Sequence, residues 1–336
     1  MEPFYGQWID RSGNLYIADS YNCVVRRINT SGTISTIAGI PQDCGYDGDN
    51  TDATTTRLNR PIAVALDHAG HLYIADLLNH RIRKLTLANG NIETVATASN
   101  DVFGLYVHGD RVYFADSWNN YIRAVNLDDG SVEDVAGTGT YGFSGDGGPA
   151  TDAQLREPNS VIADSAGNLY ISDTWSYRIR KVTDATDVIS TLAGTSSSAA
   201  ADGPLEDSPL GLPAGMAFGP DGNLYVAVPA HAAIRVIDTE AQTLGTVAGT
   251  LDTSGYAGDE TAATEATLNQ PGAVDFDMDG NMYIIDSHNH AVRRVDAATG
   301  IITTVGGGNG QGFSGDGGPA TDAELNRPAA ISWSMD

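Results

Sequence analysis

The side chains best suited to chemistry in this 336-residue chain recur at one fixed spacing. Asp19, Asp76, Asp116, Asp173 and Asp286 are each followed, seven residues later, by an arginine: Arg26, Arg83, Arg123, Arg180 and Arg293. Arg235 keeps the sixth place, although Val228 stands where its aspartate would be. A carboxylate beside a guanidinium can move protons or hold an anion, but a catalytic pair has no reason to repeat so often. The repetition reads as structure, each carboxylate accepting from turn N–H groups and one guanidinium. No catalytic residue is assigned, and the copy with Val228 is expected to have a looser turn.

The positions just beyond the aligned acid vary in an informative way. Two residues on stand Tyr21, Leu78, Trp118, Trp175, Ala230 and His288; four residues on stand Cys23, His80, Asn120, Tyr177, Ala232 and His290. Tyr21, Trp118, Trp175, Tyr177 and His288 could form a platform on which sugars, peptides or cationic groups stack. The other reading is that they pack beneath longer loops, since aromatics at turns need cover. Gly-Asp-Gly-Gly at 145–148 and 315–318 is not a phosphate cradle, because such a loop needs a strand before it, a helix after it and usually a Lys or Ser, whereas here an aspartate would face the anion. Asp47, Asp49 and Asp52 lack the glycine and bidentate glutamate of an EF-hand loop.

These residues sit on a repeat. Gly-Asn-Leu-Tyr-Ile-Ala-Asp at 13–19 returns, varied, at 70–76, 110–116, 167–173, 222–228 and 280–286. Apolar alternation at period two makes each copy a strand, an Asp-x-x-Asn turn follows, and a second strand such as 24–28 and a third such as 34–38 come after it. A further short run precedes each copy, for example 61–66 or 271–276, so the unit is a four-stranded antiparallel meander. A chain longer than the roughly 250–300 residues of a single core, built from six such units, points to an all-β, six-bladed β-propeller. The blades are placed near 13–39, 61–97, 102–137, 158–194, 213–249 and 271–307 of a single domain spanning 1–336. The run 327–334 matches the inner strand 61–66, so the C-terminal strand is expected to close the ring, with Gly6 to Asp10 as its rival. Inserts sharing Gly-Phe-Ser-Gly-Asp-Gly-Gly-Pro at 142–149 and 312–319, with looser copies at 45–61 and 255–271, are each expected to end in a short helix whose Leu plugs a blade junction. Inserts and Asp-x-x-Asn turns crowd one mouth of the channel. In the channel wall, Asp275 takes the place of Ala65 and Tyr106 the matching position of the third blade, which makes them candidates for a bound cation or a proton-transfer group.

Gly-Asn-Leu-Tyr-Ile-Ala-Asp followed by Asn and then Arg-Ile-Arg-Lys, as at 178–181, resembles the NHL repeat, and the resemblance extends over essentially the whole chain. It implies a propeller scaffold that hosts unrelated activities. Amidating lyases are NHL-type propellers with zinc held by histidines at the channel, and this likeness raises a metal hypothesis for His80, His231, His288 and His290. Against it, Asn-His at this place is common in NHL repeats, and none of the inner-strand runs 61–66, 159–163, 214–218 and 271–276 carries a histidine. No cofactor is assigned; Zn, or Ca²⁺ held in the channel by backbone carbonyls and Asp275, stays as the alternative.

Formal charge is −25, from 43 acids against 18 bases, and Lys84 and Lys181 are the only lysines. Such a field repels phosphate and excludes nucleic acid as a partner; it serves solubility or a salty habitat, or attracts cationic ligands. No apolar stretch is long enough for membrane insertion. Cys23 and Cys44 fall on one face of one blade, where a disulfide would stabilise by about 3 kcal/mol, the alternative being two buried free thiols. A bridge argues for an extracellular, periplasmic or cell-surface home. Met1 to Asp10 lacks the basic and apolar segments of a secretory signal, so the chain reads as a domain excised from a longer protein. The resulting expectation is a non-enzymatic binding or sensor propeller. It would take a protein, peptide, carbohydrate or cationic small ligand at the insert-bearing mouth. The alternative is a metal-dependent hydrolase or lyase at that mouth.

Overall fold

In the computed structural model, which describes residues 13–49 and 51–333, strand follows strand in six antiparallel sheets. Blade 2 is representative. Pro61–Leu66 is innermost, followed outwards by His71–Asp76, Arg81–Thr86 and Asn91–Thr97. The inner strands lie against one another around a closed circle, with Ala330–Trp333 between Pro271–Phe276 and Pro61–Leu66. This is the six-bladed β-propeller expected from the repeat.

Closure is made by the C-terminal strand. Ala330–Trp333 pairs antiparallel with Leu15–Asp19, setting Ile331 opposite Ile17 and Trp333 opposite Leu15. The rival run, Gly6 to Asp10, lies outside the described residues. Beside this seam the disulfide joins Cys23 to Cys44 with the Cα atoms 5.4 Å apart, so the turn of blade 1 is tied to the insert leaving that blade.

Alternating side chains divide the apolar surface between the two faces of every blade, and stacked blades bury it in six clusters, one at each junction. The inserts contribute as anticipated. Each ends in a single 3-10 turn, Ala53–Thr55, Ala150–Asp152, Ala263–Glu265 or Ala320–Asp322, and the following Leu58, Leu155, Leu268 and Leu325 are fully buried at the junctions.

Four strands per blade is one short of the truth in three blades. Thr51–Asp52, Gly203–Pro204 and Thr261–Ala262 each add a two-residue strand outside the next blade's outermost strand. Single bridges, Pro149 to Val188 and Thr33 to Pro319, do the same for blades 4 and 1. Each insert therefore wraps the outer edge of the blade it leads into. Blade 3 is entered by a tight link without an insert, and Val132 on its outer strand is 45% exposed.

Removing residues 327–336 takes away the inner strand of blade 1 and opens the ring. The thermal midpoint should fall by roughly 10 °C or more, as read by scanning calorimetry. An unchanged midpoint would mean that another segment closes the ring.

Candidate functional site

The insert-bearing face begins with a bulge. In every blade the third and outermost strands slip register at the repeated arginine, so that Val25 faces Ala38 but Arg26 faces Thr36. The same slip recurs at Arg83, Arg123, Arg180, Arg235 and Arg293. A bulge re-aims the side chain beside it, and five of these arginines are completely buried under the inserts.

The aspartate–arginine pairs are structural, but their geometry differs from the expected one. The arginine's closest carboxylate belongs to the insert: Asp316 lies 2.5 Å from Arg26, Asp146 2.6 Å from Arg180 and Asp259 2.7 Å from Arg293. The repeated aspartate stands farther off, 3.9 Å from Arg26 and 3.4 Å from Arg180 and Arg293. Its oxygens accept instead from the turn asparagine and from an insert backbone N–H, as Asp19 does from Asn22 Nδ2 at 2.8 Å and Asn326 N at 2.7 Å. The insert also supplies a ring. Phe313 covers Arg26, Tyr46 covers Arg83, Phe143 covers Arg180 and Tyr256 covers Arg293, with centroid distances between 4.7 and 5.2 Å. Aromatic-x-Gly-Asp is thus an arginine clamp, which explains the Gly-Asp-Gly-Gly runs.

Val228 does not loosen its turn. Pro229–His231 keeps the single 3-10 turn, closed by Ala232 N donating to Pro229 O at 3.1 Å, because proline presets the first φ and Ala232 adopts the left-handed conformation. Arg235 is held by Asp202 at 3.0 Å and by insert carbonyls.

Above the clamps lie the six turns. The residue four beyond the aligned acid is left-handed in each: Cys23, His80, Asn120, Tyr177, Ala232 and His290, with φ between 52° and 60°. The residue two beyond the acid therefore points outward at equivalent stations. Trp118 is 57% exposed, Trp175 44% and Tyr21 40%, and His288 is exposed as well. Trp118 Nε1 donates to Asp101 Oδ2 at 3.2 Å.

The channel holds a cavity of about 330 Å³, walled by the inner strands and lined also by Gln270, Ser287 and His288. Tyr106 and Asp275 line it on blades 3 and 6, at matching register opposite Tyr113 and Tyr283. Tyr106 donates its hydroxyl to Ala163 O at 3.0 Å, and Asp275 Oδ1 accepts from Phe276 N at 2.9 Å. The proposed ligand residues thus divide into a rim group, Tyr21, Trp118, Trp175, Tyr177 and His288, and a wall group that His288 joins.

The histidines are held at separate stations. His80 Nδ1 faces Asp101 at 3.2 Å, His231 lies between Asp252 at 2.6 Å and Ser198 O at 2.7 Å, and His290 Nδ1 accepts from Arg327 N at 3.0 Å. Burial first, then the charge of Arg327, lowers the pKa of both His288 and His290. Among the described residues no three His, Cys, Asp or Glu side chains gather where an ion could sit.

Arg60 and Arg327 were not picked out from the sequence, although Asn-Arg-Pro at 59–61 and 326–328 was a legible signal. Both adopt left-handed backbone, with φ of 55° and 48°, and both guanidiniums lie over Tyr21, at 4.6 and 5.2 Å from its centroid.

Known proteins resemble this chain in parts. The Teneurin NHL domain family matches residues 6–86. Teneurin-4 of Mus musculus is 30% identical over 217 residues, covering 57% of this chain and 8% of that protein. The chain spans less than a tenth of the length of the curated relatives it matches. A chain of the nidogen/laminin complex superposes with a TM-score of 0.61 at 16% identity, covering 96% of this chain and 99% of that one. Virginiamycin B lyase from Staphylococcus aureus superposes at 0.55 with 15% identity, covering 90% and 83%. A complex component and a lyase on one architecture indicate shared fold and nothing finer.

The buried carboxylates give the clamps a pH signature. Burial pushes Asp19 up to about 7, and Asp76, Asp173 and Asp286 up to about 6, against the opposing pull of their hydrogen bonds and arginines. Since these groups titrate near 3.8 when unfolded, the folded chain retains protons that the unfolded chain releases. Their contribution is full below about pH 4 and is lost as pH rises through 6 to 7. The thermal midpoint should therefore be higher at pH 5 than at pH 8, and Asp76→Asn with Asp173→Asn should flatten that dependence. A midpoint rising from pH 5 to 8 would contradict it.

Proposed function

We propose that this chain, an NHL-repeat six-bladed β-propeller, is a protein-interaction module that receives its partner on the insert-bearing face around the channel mouth. The observation carrying this reading is the set of exposed aromatics, Trp118, Trp175 and Tyr21, on backbone stations fixed by the turns beneath them. Interface hot spots are enriched in tryptophan, tyrosine and arginine, and side chains held in place lose little entropy on binding. The rim carries all three types. The wall residues Tyr106 and Asp275 extend the site into the cavity, where a protruding side chain of the partner would enter.

The Cys23–Cys44 bridge supports an extracytoplasmic home, extracellular, periplasmic or cell-surface. No helix among the described residues is long and apolar enough to cross a membrane.

Replacing both Trp118 and Trp175 by Ala should weaken a captured partner at least about a hundredfold, at roughly 2 kcal/mol per hot spot, and leave unfolding nearly unchanged. Titration calorimetry and thermal unfolding read the two effects. A stability loss of several kcal/mol would make these residues packing elements. A stoichiometric transition metal in the purified protein would instead favour a metal-dependent hydrolase or lyase at the mouth.

A further inference from the structure

On a chain with 43 acids against 18 bases, an arginine that meets no carboxylate stands out. On the insert-bearing face Arg26, Arg83, Arg180 and Arg293 are each clamped by an insert aspartate, and Arg57 is paired with Asp47 at 2.6 Å. Arg60 and Arg327 are different. Among the described residues neither takes part in an ion pair, nor do Arg81, Arg156 and Arg178, which lie over other rings, but only on Tyr21 do two such guanidiniums meet. Arg60 Nη2 donates to the Tyr21 hydroxyl at 3.2 Å, while its buried Nε has no hydrogen-bond partner. The main chain of Arg327 is held by His290, and the turn carrying Tyr21 is fixed by the disulfide at Cys23.

We propose that Arg60, Arg327 and Tyr21 form a carboxylate-binding subsite on the rim of the channel, which takes an acidic side chain or the C-terminal carboxylate of a protein partner. The inference deepens the interaction role proposed above and rests on it for the nature of the partner. Its place follows from the chain: Arg60 directly precedes the inner strand whose Ile62 to Leu66 wall the cavity, and Arg327 stands two residues before Ala329, which also lines it. A guanidinium stacked on an aromatic ring is pre-oriented and weakly hydrated, so its free N–H edge suits a bidentate carboxylate. Burial first, then the charge of Arg327, disfavours the protonated form of His288 and His290 beside it. The net charge of −25 selects among anions. A polyanion meets the whole field, whereas a single carboxylate feels mainly the two nearby cations, because the field is screened beyond about 8 Å in physiological salt. The apolar cavity next to the subsite accommodates the side chain beside that carboxylate.

The test is a titration of the intact chain, followed by NMR of the His288 and His290 rings. The probes are N-acetyl-leucine, N-acetyl-leucyl-glutamate amide, N-acetyl-leucinamide and glucuronate. Saturable millimolar shifts are expected with the first probe or the second, separating a C-terminal from a side-chain carboxylate, and none with leucinamide. In Arg60→Gln with Arg327→Gln the affinity should fall about tenfold or more, as expected for charge-assisted hydrogen bonds. Should that variant unfold, Arg327→Lys serves in its place: it keeps the charge, loses the fork, and should bind several-fold more weakly. No saturable shift, equal binding of leucinamide, or unchanged affinity in a folded variant would overturn the subsite. Preferential binding of glucuronate would overturn the protein partner in favour of a carbohydrate. The Trp118→Ala, Trp175→Ala variant should still bind the carboxylate probes, so failure of the subsite and failure of the wider interface can be told apart.

Discussion

A guanidinium buried without compensation is among the costliest groups a fold can contain, and this fold buries five of them in equivalent places. Each satisfies its charge only when the insert before its blade wraps the outer edge and delivers an aspartate, and in four blades an aromatic ring as well. The arginine is therefore the link through which a loop becomes part of a blade. Blade 3 shows the dependence by lacking the insert. There Arg123 remains partly exposed and takes two carboxylates from its own blade, Asp116 at 2.7 Å and Asp134 at 2.8 Å. Asp134 occupies the register position held by Thr36, Thr94, Thr191, Thr246 and Thr304 elsewhere. Where no insert brings an acid, the outermost strand carries one.

The propeller was legible because its information is periodic and local. A strand of alternating apolar residues, a turn and a strand recur, and the run before each copy names the inner strand, including the one that closes the ring at Ala330–Trp333. The disulfide was legible for the same reason, since blade geometry puts Cys23 and Cys44 on one face. The clamp was not. Arg180 meets Asp146 across 34 residues of chain, whereas Asp173 stands only seven residues away, so a reading by proximity chose the nearer and weaker partner. The aromatic three residues before four of the insert aspartates repeats with them and could have been read as the cover of a buried cation. Val228 misled in the other direction. The acid was credited with shaping the turn, while its oxygens chiefly hold the insert, and Pro229 with a left-handed Ala232 keeps the turn without it.

The candidate site was legible in residue type and only partly in arrangement. The stations of Tyr21, Trp118, Trp175 and His288 follow from the repeat, but whether such side chains pack or project depends on how far each insert rises beside them. Their exposure shows that they project. The histidines illustrate the opposite limit. Sequence gathers His288 and His290 within three residues, yet the left-handed turn sends them to different work, one to the cavity wall and the other to the backbone of Arg327.

A division of labour within four of the turns follows. The backbone N–H of Tyr21 donates to Asn326 O, that of Leu78 to Asn59 O, that of Trp175 to Arg156 O and that of His288 to Asn269 O, all between 3.0 and 3.1 Å. At these four stations the main chain is fixed by the insert whatever side chain it carries, so the backbone does not depend on the side chain. This explains how four equivalent positions hold Tyr, Leu, Trp and His while the aspartate and arginine around them do not change. Chemistry that varies on a backbone that does not is the condition under which a recognition surface can be specific without destabilising its scaffold. The inner strands are different. Their small channel-facing residues, such as Ala63, Ala65, Gly215 and Ala273, line the cavity behind the rim.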